Sequence, residues 1–176
     1  MNAIEFLIST LFTLYLMVVL LRLWLQLAQA DFYNPFSQFV VKVTHPVVGP
    51  LRRIIPSFGR LDTATLVFAI IIAVLNVWVL ALLRGYAGID PVNLFISSLF
   101  YLFSESVQLI IYVLVIRAIL SWVSQGNNPL EYLFQQLTEP LVAPLRRIIP
   151  PIGGLDLSPM VLIIILIFVM KLIGLG

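Results

Sequence analysis

One heptapeptide, Pro-Leu-Arg-Arg-Ile-Ile-Pro, occurs twice in this chain, at residues 50–56 and 144–150. The two copies are 94 positions apart, and the match continues on both sides of them. Other identical pairs at this offset include Thr44 and Thr138, Pro46 and Pro140, Val48 and Val142, Gly59 and Gly153, Leu61 and Leu155, and Asp62 and Asp156. This agreement indicates an internal duplication.

The heptapeptide combines two fencing prolines with a pair of arginines. Prolines end helices, and guanidinium groups avoid hydrocarbon. An apolar run follows each copy, so we expect each heptapeptide to form a turn at a membrane surface. The composition agrees, because 61% of the residues are hydrophobic and only 10% are charged, whereas water-soluble domains carry roughly 25% charged residues. The sequence therefore predicts an integral membrane protein.

Several function classes lack the residues that they need. The chain has no cysteine and one histidine, which argues against disulfides, thiolate catalysis, iron–sulfur ligation and a zinc site. We find no nucleophile with a base and no glycine loop for phosphate, so we expect no catalytic residues and no cofactor. The net charge of +2 is too small to indicate nucleic acid. The basic residues flank apolar runs, which predicts anionic phospholipids as partners.

Four apolar runs are the predicted membrane-spanning helices. They cover residues 4–29, 64–83, 92–123 and 158–175. A span needs roughly 20 residues to cross a hydrocarbon core of ~30 Å. The third run is too long for one upright span, so we expect it to tilt, protrude or break near Ser104-Glu105-Ser106.

An amphipathic segment follows the first run, and another follows the third, at residues 35–48 and 129–142. Each begins at an Asn-Pro step, which favours a helix start. Apolar residues then recur at helical spacing, which is typical of a helix lying in the membrane interface. These residues are Phe36, Phe39, Val40, Val43 and Val47 in the first segment, and Leu130, Leu133, Phe134, Leu137 and Leu141 in the second.

The predicted fold is an all-α membrane protein with about four transmembrane helices in two parallel tandem repeats, residues 1–91 and 92–176. Each repeat contains a span, an interfacial helix, an arginine turn and a second span. Two crossings per repeat give both repeats the same orientation, so both arginine turns lie on one face. The excess of basic residues on that face predicts that it is cytoplasmic. Those residues are Lys42, Arg52, Arg53, Arg60, Arg146 and Arg147, with Arg22 and Arg117 near them, against Arg84 and Lys171 on the other face.

The four arginines of the heptapeptides are the candidate binding residues. Planar guanidinium groups suit the phosphate of a lipid or the carboxylate of a partner protein. The alternative is that these arginines only fix the orientation of the chain in the membrane. The residues are Arg52, Arg53, Arg146 and Arg147.

Four further polar residues are singled out by their positions. Asp62 and Asp156 precede apolar runs, where we expect them to cap helices or pair with arginines, and the alternative is ion binding. Asn76 lies in the second run and is expected to hydrogen-bond to a neighbouring helix. Glu105 is a carboxylate in an apolar run, so it faces a cavity, a partner or another helix, or it lies in the outer interface.

The duplicated heptapeptide, continued by a glycine and Leu-Asp before an apolar helix, resembles the YggT family of small bacterial membrane proteins with plastid relatives. The resemblance covers the whole chain. It implies a multi-pass protein of the bacterial cytoplasmic (inner) membrane, associated with osmotic and ion homeostasis and, in plastid relatives, with membrane organisation, division and cytochrome assembly.

Two functions are compatible with these observations. The first is a non-enzymatic membrane scaffold or assembly factor with a basic cytoplasmic face for anionic lipids or partner proteins. The second is a small oligomeric ion or osmolyte transporter or channel subunit. The scarcity of polar residues in the spans favours the first.

Overall fold

The structure is a computed structural model that describes residues 2–86, 88–123, 128–149 and 156–175. Its regular secondary structure in these ranges is helical. The helices are α1 (Ala3–Leu27), α2 (Pro35–Ile54), α3 (Thr63–Leu83), α4 (Pro91–Val123), α5 (Pro129–Ile148) and α6 (Ser158–Leu172). The all-α prediction is therefore confirmed for the part of the chain that is described.

Three of these helices, α1, α3 and α4, are long and apolar enough to cross a membrane. The fourth predicted span corresponds to α6, which is apolar but has 15 residues. At 1.5 Å per residue it is about 22 Å long, less than the ~30 Å of a hydrocarbon core. Residues 150–155, which precede it, lie outside the described residues. The described chain thus contains three candidate spans.

Helix α4 continues without interruption through Ser104-Glu105-Ser106. The Ser106 hydroxyl is satisfied within the helix, since its Oγ donates to Leu102 O at 2.7 Å. The helix has 33 residues, so its length of about 50 Å exceeds one hydrocarbon core. Of the three alternatives predicted for this run, a break does not occur, which leaves tilting or protrusion.

The prediction that each heptapeptide forms a turn is wrong, because most of each heptapeptide is helical. Each amphipathic helix continues through two prolines and ends after the arginine pair, so the arginines occupy the last helical turn. A proline inside a helix removes one hydrogen bond and forces a bend, and packing against neighbouring helices can outweigh that cost. The last proline of the first copy does end α2, because Ile55 before it is extended. Pro150 lies outside the described residues.

Both amphipathic helices lie against longer helices. Helix α2 contacts α1 and α3, and α5 contacts α4 and α6. Val40 and Val48 on one side of α2 are fully buried, while Phe39 and Val43 on the other side of the apolar stripe are exposed. Of the predicted stripe, Val40 is therefore buried against protein and Phe36 is partly buried, whereas Phe39, Val43 and Val47 are exposed.

The amphipathic helices also meet each other near their first turns. The rings of Phe36 and Phe134 pack edge to face with centroids 5.7 Å apart. Asn34 Nδ2 donates to Pro129 O at 2.8 Å. These contacts connect the first three helices to α5.

Candidate membrane-surface site

The first arginine pair is anchored by one ion pair. Arg52 Nη2 lies 2.5 Å from Asp62 Oδ2, and Arg52 Nε donates to both carboxylate oxygens at 3.2 and 3.1 Å. Arg52 Nη2 also donates to Gln26 Oε1 at 2.6 Å. This geometry joins the end of α2 to the start of α3 and to α1.

Asp62 also caps α3. Its side chain is fully buried and accepts hydrogen bonds from the Thr65 amide and the Thr65 hydroxyl. Burial raises the pKa of the Asp62 carboxyl, but the hydrogen bonds from Arg52 and Thr65 outweigh it and hold the pKa below its usual range. Asp62 is therefore a charged carboxylate at neutral pH, with Arg52 as its cationic partner.

The second copy holds its first arginine in a similar way with one more carboxylate. Arg146 Nη2 lies 2.8 Å from Asp156 Oδ2, and Arg146 Nη1 lies 2.6 Å from Glu139 Oε1. The hydrogen bonds to Glu139, followed by those to Asp156, raise the pKa of Arg146. Burial raises the pKa of the Asp156 carboxyl, but hydrogen bonds from Ser158 and Arg146 hold it below its usual range. Arg146 thus links α5 to the start of α6.

The second arginine of each pair is in a different environment. Arg53 and Arg147 are exposed, and neither makes a hydrogen bond or an ion pair with any of the described residues. We call Arg52 and Arg146 the paired arginines and Arg53 and Arg147 the exposed arginines. Of the four heptapeptide arginines, Arg53 and Arg147 are the two whose guanidinium groups have no partner among the described residues, so an external phosphate or carboxylate can bind them without displacing an ion pair.

Two more arginines belong to this end of the molecule. Arg22 Nη1 donates to Thr44 Oγ1 at 2.7 Å, and Arg117 Nη1 donates to Thr138 Oγ1 at 2.5 Å. In the sequence, Thr44 and Thr138 are one of the identical pairs of the duplication, and nothing in the sequence predicts what they contact. The two arginines are 95 positions apart, so a comparison at the offset of 94 misses them. The sequence feature that indicates their correspondence is that each lies near the end of a long apolar run.

The two copies differ in charge around these arginines. Glu139 Oε2 lies 3.4 Å from Arg117 Nη2, whereas the residue that aligns with Glu139 in the first copy is His45. Arg22 is 3% exposed and has no carboxylate partner among the described residues. The surroundings of the arginines are therefore more positive in the first copy than in the second.

A surface cavity of about 470 Å³ lies beside α2 in this more positive half. It combines apolar walls with one lysine and one histidine, and none of its lining residues in the described ranges is acidic. The lining residues are Phe32, Gln38, Val41, Lys42, His45 and Pro46. The described residues contain no group of three or more histidine, cysteine, aspartate or glutamate side chains that could hold a metal ion.

The two predicted intramembrane polar residues lie away from the arginines. Asn76 is 1% exposed in α3, and neither atom of its amide has a hydrogen-bond partner among the described residues. The expected hydrogen bond to a neighbouring helix is therefore not made. Glu105 is half-buried near the middle of α4.

Apolar helices of spanning length, with most of their ionic side chains near the helix ends, define an integral membrane protein. The sequence model of the CCB3/YggT family matches residues 1–83 and 96–175. The chain belongs to this family, as the duplicated heptapeptide predicted.

Two bacterial relatives show how similar the family members are. The "Uncharacterized protein in proC 3'region" of Vibrio alginolyticus is 58% identical over 175 residues, covering 99% of this chain and 95% of that protein. The "Uncharacterized protein YggT" of Escherichia coli (strain K12) is 49% identical over 166 residues, covering 94% of this chain and 86% of that protein. No solved structure matches the chain.

Proposed function

We propose that this protein is a non-enzymatic scaffold or assembly factor of the bacterial cytoplasmic membrane, whose basic cytoplasmic face binds anionic phospholipids. The observation that carries the proposal is the different use of the two arginines in each heptapeptide. Arg52 and Arg146 are held by carboxylates, whereas Arg53 and Arg147 are exposed. A role confined to holding the fold would not require the second arginine.

The neighbours of the exposed arginines favour lipid as the partner. Arg53 is followed by Ile54, which is 80% exposed, and Arg147 by Ile148, which is 77% exposed. An exposed isoleucine next to an arginine suits the membrane interface, where the apolar group enters the acyl chains and the guanidinium lies at the level of the phosphates. Bidentate hydrogen bonding to phosphate favours arginine over lysine at such a position.

The proposal includes two parallel repeats, which would place both exposed arginines on one face. Helices α2 and α5 have 20 residues each, and their bounds differ by the same 94 positions as the heptapeptides. Their neighbours also correspond, since α2 contacts α1 and α3 while α5 contacts α4 and α6. The excess of basic residues at this end supports a cytoplasmic location. The resemblance to the YggT family links such a scaffold to membrane organisation and to osmotic and ion homeostasis.

Lipid retention tests this function. The double variant Arg53→Gln and Arg147→Gln removes two charges, each contributing about 1 kcal/mol near an anionic leaflet, so we expect roughly thirtyfold weaker retention of anionic phospholipid. The measurement is mass spectrometry of lipids that co-purify with the protein in detergent. Arg53→Lys with Arg147→Lys should give intermediate retention, because lysine keeps the charge and loses the bidentate geometry.

The control for this experiment is Lys171→Gln, which removes a charge near the other end of the spans. It should retain lipid as the unmodified protein does. Equal retention of anionic lipid by the double glutamine variant and by this control would refute the proposed lipid-binding face.

A further inference from the structure

A group of polar side chains lies in the middle of the three long apolar helices. The hydroxyls of Thr13 in α1 and Tyr101 in α4 are hydrogen-bonded at 2.8 Å. The amide of Asn76 in α3 lies near the same Tyr101 hydroxyl. Glu105 follows Tyr101 by four residues, so it lies one helical turn away on the same face.

This face of α4 is turned toward α1 and α3. Its apolar members Leu102, Leu109 and Val113 are buried in the core that also contains residues of α1 and α3. Glu105 falls between them at a spacing of three and four residues, which puts it on the same stripe. Glu105 therefore lies on the same side of α4 as these buried residues, and its side chain is half-buried.

Two of these side chains lack the partners that buried polar groups normally have. Asn76 is 1% exposed, and both atoms of its amide are unpartnered among the described residues. Glu105 is half-buried, and its carboxylate makes neither a hydrogen bond nor an ion pair with any residue in the described ranges. Hydrocarbon offers no water to satisfy such groups, so an amide and a carboxylate at this depth indicate a missing ligand.

We propose that Thr13, Asn76, Tyr101 and Glu105 form an intramembrane binding site for a small alkali cation, with Na⁺ as the ion to test. The site offers oxygen ligands from two hydroxyls, one amide carbonyl and one carboxylate, which are the donors that hard cations bind. A single carboxylate balances a single positive charge, and this favours a monovalent ion over Ca²⁺ or Mg²⁺. The site is separate from the proposed lipid-binding face and does not depend on it.

Equilibrium binding of radioactive sodium to the purified protein in detergent tests the site. We expect saturable binding of one ion per chain that unlabelled Na⁺ displaces and choline does not. Glu105→Gln keeps the shape of the side chain and removes its charge, and it should weaken binding at least about tenfold. Binding that does not saturate, or that choline displaces equally well, would overturn the proposal.

A matched pair of threonine variants locates the site. Thr13→Val removes a proposed ligand and should weaken sodium binding severalfold. Thr10→Val removes a hydroxyl that donates to Phe6 O within its own helix, and it should leave binding unchanged. If Glu105→Gln does not yield folded protein, the comparison of Thr13→Val with Thr10→Val decides the question. Equal sodium affinity in the two threonine variants would also overturn the proposal.

Discussion

Arg52 and Arg53 are adjacent in sequence, yet they have different surroundings because they lie in a helix. Successive side chains in a helix point about 100° apart, so only Arg52 reaches Asp62. The sequence identified both arginines and the aspartate as candidates. It did not divide the arginines into paired and exposed ones, because that division depends on the helix continuing through Pro46 and Pro50.

Truncating each arginine of the first pair tests this division. Arg52→Ala leaves the buried Asp62 carboxylate without its cation, so we expect the free energy of unfolding to fall by about 1–3 kcal/mol. Arg53→Ala removes an exposed side chain and should change it by no more than about 0.5 kcal/mol. Denaturant unfolding in detergent, followed by circular dichroism, measures both values. Equal losses for the two variants would show that the assignment of roles is wrong.

Among the helices, α2 and α5 show what sequence patterns can and cannot predict. Their starts were predicted correctly, because the Asn34 and Asn128 side chains accept hydrogen bonds from the Phe36 and Leu130 amides. Their ends were predicted too early, because a sequence shows prolines and does not show the neighbouring helices that stabilise a bend. The apolar spacing of α2 included the buried Val40, but it missed Ser37 and Thr44, which are buried on the same face, because a hydrophobic pattern does not show which side contacts protein.

Aspartate substitutions distinguish the buried part of α2 from its polar side. Val40 is 1% exposed, so Val40→Asp places a charge in the core and should lower the free energy of unfolding by about 3 kcal/mol or prevent accumulation of the protein. Gln38→Asp changes an exposed position and should be tolerated. Phe134→Asp and Gln135→Asp form the corresponding pair in α5. Melting temperatures and yields from membranes provide the measurement, and similar values within each pair would argue against the observed packing.

At the scale of the whole molecule, hydrophobicity alone predicted the three long apolar helices. The same signal could not show that α4 stays continuous, since Ser104-Glu105-Ser106 is equally compatible with a break. It also could not reveal the contacts of Arg22 with Thr44 or of Arg117 with Thr138, because these pairs join different helices. The central claim at this scale is that two parallel repeats place both arginine pairs on the cytoplasmic face.

Labelling of single cysteines tests this claim most directly, because the chain has no cysteine of its own. Ser57→Cys marks the end of the first heptapeptide, Gln135→Cys marks α5, and Tyr86→Cys marks the opposite end of α3; all three positions are exposed. The reagent is a maleimide that does not cross membranes. Ser57→Cys and Gln135→Cys should react with it in inside-out vesicles and stay unlabelled in intact cells. Tyr86→Cys should react only from outside. Labelling of Ser57→Cys and Gln135→Cys from opposite sides would contradict the parallel repeats, and labelling of both from outside would contradict the cytoplasmic orientation.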